Sequence, residues 1–277
     1  MRLGFVVHGG RPAAIEAAER LRTWASDRGI DTEELPVEPS PAPESAAIDL
    51  VVSVGGDGTL LRAALWGNRL DAPVLGVKVG HLGFLTEVEP EDAPAVLEDW
   101  RNGDAEVVDR MALVAEPDGQ EWESQWALNE VIVEKRARHR VIRLATWVGD
   151  DYVTTFSADG VIVATPTGST AYSFSARGPI VSPRLPSLVL TPVSAHMVFD
   201  RAIVLSPEEQ VALEVHEDEP GLLSADGREG IELKPGARVT IRTADRPARL
   251  VRSKRAESFY SLLRRKFHLP ADPEPRG

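Results

Sequence analysis

The chain has 277 residues, 43% of them hydrophobic and 27% charged, the balance of a soluble globular protein long enough for one large or two ordinary domains. Its formal charge of −12 argues against a general nucleic-acid binder, which needs a basic face. With no cysteine, disulfides and thiolate zinc sites are excluded and a reducing cytoplasm fits best; no uncharged apolar stretch is long enough to cross a bilayer, so no membrane partner is expected. Only five of the 31 basic residues are lysines (Lys78, Lys135, Lys234, Lys254 and Lys266), a pattern that either a salty cytoplasm or arginine-rich codon use would produce.

The start, "MRLGFVVHGG", reads as a first strand rather than a signal peptide, because its short apolar run is broken by glycines. "AAIEAAERLRTWASDRG" has helical spacing and stops at Gly29. "LPVEPSPAPESAAI", Leu35 to Ile48, is too proline-rich for either element and reads as a surface loop. "DLVVSV" is a second apolar run, "TLLRAALWGN" a second helix, "APVLGVKVG" another strand and "EDAPAVLEDWRNG" a short helix. Strands alternating with helices predict parallel pairing, hence an open α/β domain over residues 1–104.

From about Val107 the texture changes to short β-rich runs: "RMALVAEP", "QWALNEVIVEK", "HRVIRLATWVGDDYVTTFSADGVIVAT", "SLVLTPV", "AIVLSP", "QVALEVHE" and "ARVTIRTA". Turn clusters such as Gly149-Asp150-Asp151 and Pro235-Gly236 separate them. They predict a β-rich, sandwich-like domain over 105–252, so that the fold class is α/β plus all-β. "AESFYSLLRRKFHL" returns to helical spacing and is expected to pack back on the first domain, ahead of a disordered tail, "PADPEPRG"; the two make up 253–277.

Three stretches carry candidate chemistry. In "VVSVGGDGTLLRAALWGN" an apolar run passes through "GGDGT" into an amphipathic stretch. Glycines there leave backbone N–H groups bare at a helix start, where phosphate oxygens can approach, and Thr59 is placed to cap that helix. No Gly-Lys-Ser/Thr follows, so this is not a P-loop. Asp57 is a carboxylate where an anion would bind. Either the loop is only a turn, with Asp57 favoured by the helix dipole, or Asp57 serves the reaction. The second stretch, "DGVIVATPTGSTAYSFS" from Asp159 to Ser175, runs a strand into hydroxyl residues and bare amides suited to polar ligand groups, with Tyr172 offering a face to a base. The third is Asn129-Glu130 inside "ALNEVIVEK", two polar side chains in a buried-looking strand, which must be paired, solvated or ligand-bound.

Together, in this order, the three stretches resemble the NAD kinase family over nearly the whole chain. "GVKVGHLGFLTEV", "SADG" and "SFYSLLRRKF" add to the likeness; GGDG alone is shared with lipid kinases and phosphofructokinases, whereas "DGVIVATPTGSTAYSFSARGPIV" is highly specific. The resemblance implies transfer of the γ-phosphate of ATP to the 2′-hydroxyl of the adenosine ribose of NAD. It makes Asp57 the base that accepts the hydroxyl proton and places Gly58 on ligand phosphates. It assigns Asn129 and Glu130 to ribose and adenine, and Asp159, Thr167, Thr170, Ala171, Tyr172, Ser173, Phe174 and Ser175 to the nucleotide site. Arg62 and Arg140 fall at further contact positions, where an ordinary surface charge is the rival reading. The resemblance also implies Mg²⁺ or another divalent cation held by ATP phosphates and water rather than by a protein cage, and a homodimer or homotetramer.

Several positions depart from the family pattern. Lys78 and His81 replace the usual Asn and Arg, Ala195 and Ala202 stand where proline is usual, and Arg228 replaces a common glutamine. His8 and His196 have no second ligand at metal spacing and read as structural histidines. Two alternatives to an active NAD kinase are a lipid or sugar kinase sharing only GGDG, and a catalytically silent paralogue that binds NAD or NADP.

Overall fold

Apolar runs separated by amphipathic helices cannot pair through tight turns, so they wind a parallel sheet. In the computed structural model, which describes residues 1–38, 47–119, 122–137, 139–216 and 220–270, this happens in a first unit made of Met1–Asp109 and Ala248–Gly277. Its elements begin with strand β1 (Arg2–Val7), helix α1 (Pro12–Ser26), β2 (Asp31–Glu34), β3 (Leu50–Gly55) and α2 (Asp57–Leu70). They continue with β4 (Val74–Lys78), α3 (Ala93–Asn102) and β5 (Glu106–Arg110). Residues 39–46 of the proline-rich loop and 271–277 of the tail lie outside the described residues, and with them the expectations for those stretches.

The second unit, Arg110–Pro247, holds β6 (Leu113–Pro117), β7 (Gln125–Ala127), β8 (Glu130–Lys135), β9 (Ile142–Val148), β10 (Asp151–Ala158) and β11 (Gly160–Ala164). A 3-10 turn (Gly168–Thr170) and the one-turn helix α4 (Tyr172–Ser175) follow. Then come β12 (Leu188–Val193), β13 (Ile203–Leu205), β14 (Val211–Val215), β15 (Gly221–Ala225), β16 (Ile231–Leu233) and β17 (Arg238–Thr243). Strand β18 (Ala248–Arg252) and helix α5 (Phe259–Lys266) belong to the first unit.

The first unit's sheet has the order β2-β1-β3-β4-β18-β5, and β2, β1, β3, β4 and β18 pair in parallel. Helix α1 buries Ala14, Ala17, Ala18, Leu21 and Ala25, a stripe at helical spacing, in one cluster with Leu3, Phe5, Leu50, Val52 and Val54 of the central strands. Helix α2 lies close to β4: a side chain at Gly67 would come within 2.6 Å of Val74. The indole N–H of the fully buried Trp66 donates to the Pro36 carbonyl at 2.8 Å.

The second unit is two antiparallel sheets, β10-β9-β14-β17-β6-β7 and β13-β12-β11-β8-β15-β16. Leu144, Phe156, Leu213 and Val239 of the first share one core with Val131, Val133, Val161, Val163 and Leu190 of the second, the arrangement of a β-sandwich. Strand β11 is buried on both faces. Val161 and Val163 point into that core, while Ile162 and Ala164 pack in a second cluster with Ile132, Val181 and Val189. The second cluster lies under the chain that follows α4, and so fixes the stretch carrying Tyr172.

Candidate functional site

Strand β3 ends in Gly55, and the backbone turns through Gly56, the N-cap of α2, with no side-chain cap. Thr59 therefore does not cap the helix as expected. It is 4% exposed and fills the space a Gly55 side chain would take, with 2.8 Å between that hypothetical Cβ and its own. Asp57 stands in the first helical turn, but its carboxylate reaches across to the chain after β4. Oδ2 accepts the Phe84 amide at 2.7 Å; Oδ1 accepts the Leu85 and Thr86 amides at 3.1 Å each and the Thr86 hydroxyl at 3.2 Å. Gly83 makes the approach possible, since a Cβ there would overlap the carboxylate, 2.6 Å from Oδ2. A carboxylate has about four lone-pair sites, so Oδ2, with one bond, is the oxygen that can still accept a proton.

This carboxylate opens on a cavity of about 460 Å³ whose wall includes Gly58, His8, Arg11, Arg62, His81 and Lys266. The first N–H groups of a helix have no intrahelical acceptor, and those of α2 start at Asp57 and Gly58. Arg62 pairs with Glu38 at 3.1 Å, and Arg11 donates to the Val79 carbonyl at 2.8 Å. His8, Arg11 and Lys266 were not expected at this site. "HGGRP" carries the same signal as "GGDGT", a glycine-rich turn from strand into helix, and Arg11 is the N-cap residue of α1.

In the second unit Asn129 and Glu130 are 6% and 9% exposed, at the start of β8. Their backbone is clamped from several directions. The Asp226 carboxylate accepts the amides of Leu128, Asn129 and Glu130 at 2.7, 2.8 and 3.2 Å. The Thr165 hydroxyl donates to the Leu128 carbonyl at 2.7 Å, and Gly168 lies so close that a Cβ would sit 2.7 Å from the Asn129 Cα. Among the described residues Asn129 Oδ1 and Glu130 Oε2 are buried acceptors without a protein partner, the condition of groups held for a ligand. Burial, then the Asp226 charge, pushes the Glu130 carboxyl up to about 8, against the pull of the Tyr172 backbone N–H. Burial pushes the Asp226 carboxyl up too, but its three amide donors and Arg228 favour the anion. The amide donors thus hold the Asp226 carboxylate, whereas Glu130 Oε2 has no protein donor among the described residues.

Tyr172 is 41% exposed; burial and the neighbouring Glu134, Asp159 and Glu130 carboxylates push its phenol up, which places these groups around it. Glu134 is pushed up by burial and by Asp159, while Asp159 is ion-paired with Lys135. Thr170, Ala171, Phe174 and Ser175 surround Tyr172 on the same turn and helix. Thr167 is 8% exposed, and its carbonyl accepts the Thr170 hydroxyl at 3.3 Å. The Ser173 side chain turns inward: fully buried, its hydroxyl pairs with that of Thr191 at 3.0 Å. Arg140 is an exposed residue of the turn between β8 and β9.

Among the described residues no group of three His, Cys, Asp or Glu side chains could hold a metal ion. Among the described residues the Asp57 cavity offers the carboxylates of Asp57 and Glu38, both already bonded to protein. The described residues do not build a cation cage.

Residues 40–105 match the model of the ATP-NAD kinase N-terminal domain, and residues 128–253 that of the ATP-NAD kinase C-terminal domain. An NAD kinase of Heliobacterium modesticaldum is 41% identical over 277 residues, covering 96% of this chain and 98% of that protein. The chain belongs to the NAD kinase family. A crystal structure of an NAD kinase from Archaeoglobus fulgidus in complex with ATP is 27% identical, with a TM-score of 0.75 over 97% of this chain and 98% of that one. Yeast NADH kinase complexed with NADH, at 22% identity, shares the fold, with a TM-score of 0.87 over 99% and 89% of the two chains. Within this NAD kinase family enzyme the departures from pattern have local partners. Lys78 pairs with Glu89, His81 lines the Asp57 cavity, and Arg228 is bonded to the carbonyls of Trp126 and Ala225. Ala195 and Ala202 pack against the two clusters of the second unit.

Proposed function

We propose that this kinase transfers the γ-phosphate of ATP to the 2′-hydroxyl of the adenosine ribose of NAD, giving NADP and ADP. The observation that carries the proposal is the Asp57 carboxylate, fixed by the Phe84–Thr86 segment with Oδ2 still able to accept, on the wall of a cavity that also presents cationic side chains and the start of α2. Asp57 Oδ2 takes the hydroxyl proton as the ribose oxygen bonds to the γ-phosphorus and the bond to the bridging oxygen of ADP breaks. The proton then sits on Asp57 and the electron pair of the broken bond on ADP. Positioning and charge stabilisation supply most of the rate in such transfers. Gly58, Arg62 and the α2 start hold phosphates; Asn129, Glu130, Asp159, Arg140 and the Thr167–Ser175 stretch bind the NAD nucleoside.

A divalent cation such as Mg²⁺ would be held by the ATP phosphates and water, where it would neutralise charge; among the described residues no group of three side chains builds a cage for it. A cytoplasmic setting and a homodimer or homotetramer complete the proposal, supported by the composition and by the family resemblance. The test is product analysis with purified protein, NAD, Mg²⁺ and ATP. Equal amounts of ADP and a 2′-phosphorylated dinucleotide are expected; ATP consumption without that product would reject the assignment.

A further inference from the structure

We propose that Lys266, carried on the C-terminal helix, is a ligand of the donor phosphates in the Asp57 cavity; the inference rests on reading that cavity as the phosphoryl-transfer site. Of the five lysines, Lys78, Lys135 and Lys254 pair with Glu89, Asp159 and Asp99, and Lys234 is exposed in a turn. Lys266 is different. It is half-buried on the cavity wall, and among the described residues its ammonium has no carboxylate partner. The ammonium instead lies over the face of Phe84, 4.4 Å from the ring centroid. A ring face attracts a cation without neutralising it, and a partly desolvated charge with no counter-ion favours an arriving anion.

The placement is built rather than incidental. Phe84 is held between Phe259 and Phe267 of the C-terminal segment, at 6.2 Å from each, so α5 is fastened to the segment that holds Asp57. The amide of the same Phe84 donates to Asp57 Oδ2. One residue thus sets both the base and the ammonium. Compensation of the helix dipole does not account for Lys266 alone, since Arg264 and Arg265 stand in the same last turn and Arg265 pairs with Glu257 at 2.8 Å. Nor is Glu38, the other carboxylate on the cavity wall, its partner, because Glu38 is paired with Arg62. In a loose phosphoryl-transfer transition state, charge spreads over the equatorial oxygens of the moving group and onto the leaving nucleotide, where an ammonium stabilises it. A triphosphate brings more charge than the pyrophosphate of NAD, and the phosphorus under attack must lie beside Asp57. The donor is therefore the assigned occupant.

The test compares the wild-type enzyme with Lys266→Met, which keeps the stem against Phe84, and Lys266→Arg, which keeps the charge. Loss of one charge-assisted contact is expected to raise the KM for ATP and the dissociation constant of inorganic tripolyphosphate about 10- to 100-fold in the Met variant. The KM for NAD and the melting temperature stay put, and the Arg variant recovers most of the loss. Unchanged ATP and tripolyphosphate values in the Met variant would overturn the proposal. So would a rise confined to the KM for NAD, which would make the NAD pyrophosphate the ligand, or equal losses accompanied by a lower melting temperature, which would make Lys266 a packing residue. Asp57→Asn run in parallel separates the two levels: if it stays active, the reading of the cavity fails whatever Lys266 does.

Discussion

Gly83→Ala is a sharp probe of the Asp57 site, because it adds one methyl group where the Asp57 carboxylate stands. The Cβ would overlap the carboxylate, 2.6 Å from Oδ2, whereas ordinary carbon contacts run at about 3.5–4 Å. Gly83 does not have a positive φ, so the backbone accepts alanine and the conflict is with Asp57 itself. Relief requires the carboxylate to retreat on the order of 1 Å, a displacement that can cost about 10²-fold when it misplaces a reacting group. The same retreat disrupts the four hydrogen bonds from Phe84, Leu85, Thr86 and the Thr86 hydroxyl. The site is open to water, which replaces part of what is lost, so a destabilisation of about 1–3 kcal/mol is expected. Initial rates at saturating ATP and NAD, with thermal melts alongside, should show turnover down about 100-fold and a modest loss of melting temperature. In an Asp57→Asn background the same substitution should cost little more turnover. A Gly83→Ala enzyme turning over within a few-fold of wild type would refute the requirement for a positioned Asp57.

Two further substitutions probe the second unit. With its carboxyl raised to about 8, Glu130 keeps a proton in the folded state that the unfolded chain gives up near 4.5. Between those values the folded state binds more protons, so this group lowers stability by about 1.4 kcal/mol per unit as the pH rises. Glu130→Gln should flatten the fall of melting temperature between pH 5 and 8 and leave the KM for NAD within a few-fold at pH 7; a slope equal to that of wild type would show that Glu130 ionises normally. Asp226→Asn turns an amide NH₂ toward one of the three backbone donors at Leu128, Asn129 and Glu130, leaving a buried N–H unpaired. A loss of about 2–4 kcal/mol in denaturant unfolding, with a higher KM for NAD, is expected; unaltered stability would show that the clamp is not needed.

What the sequence displayed, and what it hid, follows from the range of the interactions. The turn from β3 into α2 was legible because glycines, an apolar run and an amphipathic run are local signals. Thr59 was misjudged as a cap because its value lies in filling the space beside Gly55, which is a packing effect. Strands β2, "DTEE", and β5, "EVVDR", carry too many charges to read as strands, yet each completes an edge of the first unit's sheet. "ARLVR" looks like any short β run, and nothing local shows that it pairs in parallel with β4, with partners 176 positions apart along the chain, Leu250↔Val74 and Val251↔Leu75. The chemistry divides in the same way. Asn129 and Glu130 stood out as polar residues in a buried strand, but the clamp that holds them comes from Asp226, 96 to 98 positions away. Likewise Asp57 stood out in "GGDGT" as a candidate base, while its anchor in "GFLT" did not show.

Asp57 is the proposed acceptor of the ribose proton, and Asp57→Asn tests that role most directly. Asparagine keeps the shape and, with its oxygen at the Oδ1 position, keeps the Leu85 and Thr86 amides while giving up the Phe84 amide, but it cannot take the proton. Single-turnover and steady-state rates, measured beside the dissociation constant for NAD, should show turnover reduced about 10²–10⁴-fold with NAD affinity preserved. Near-normal turnover in the asparagine enzyme, with NADP still forming, would contradict the role given to Asp57.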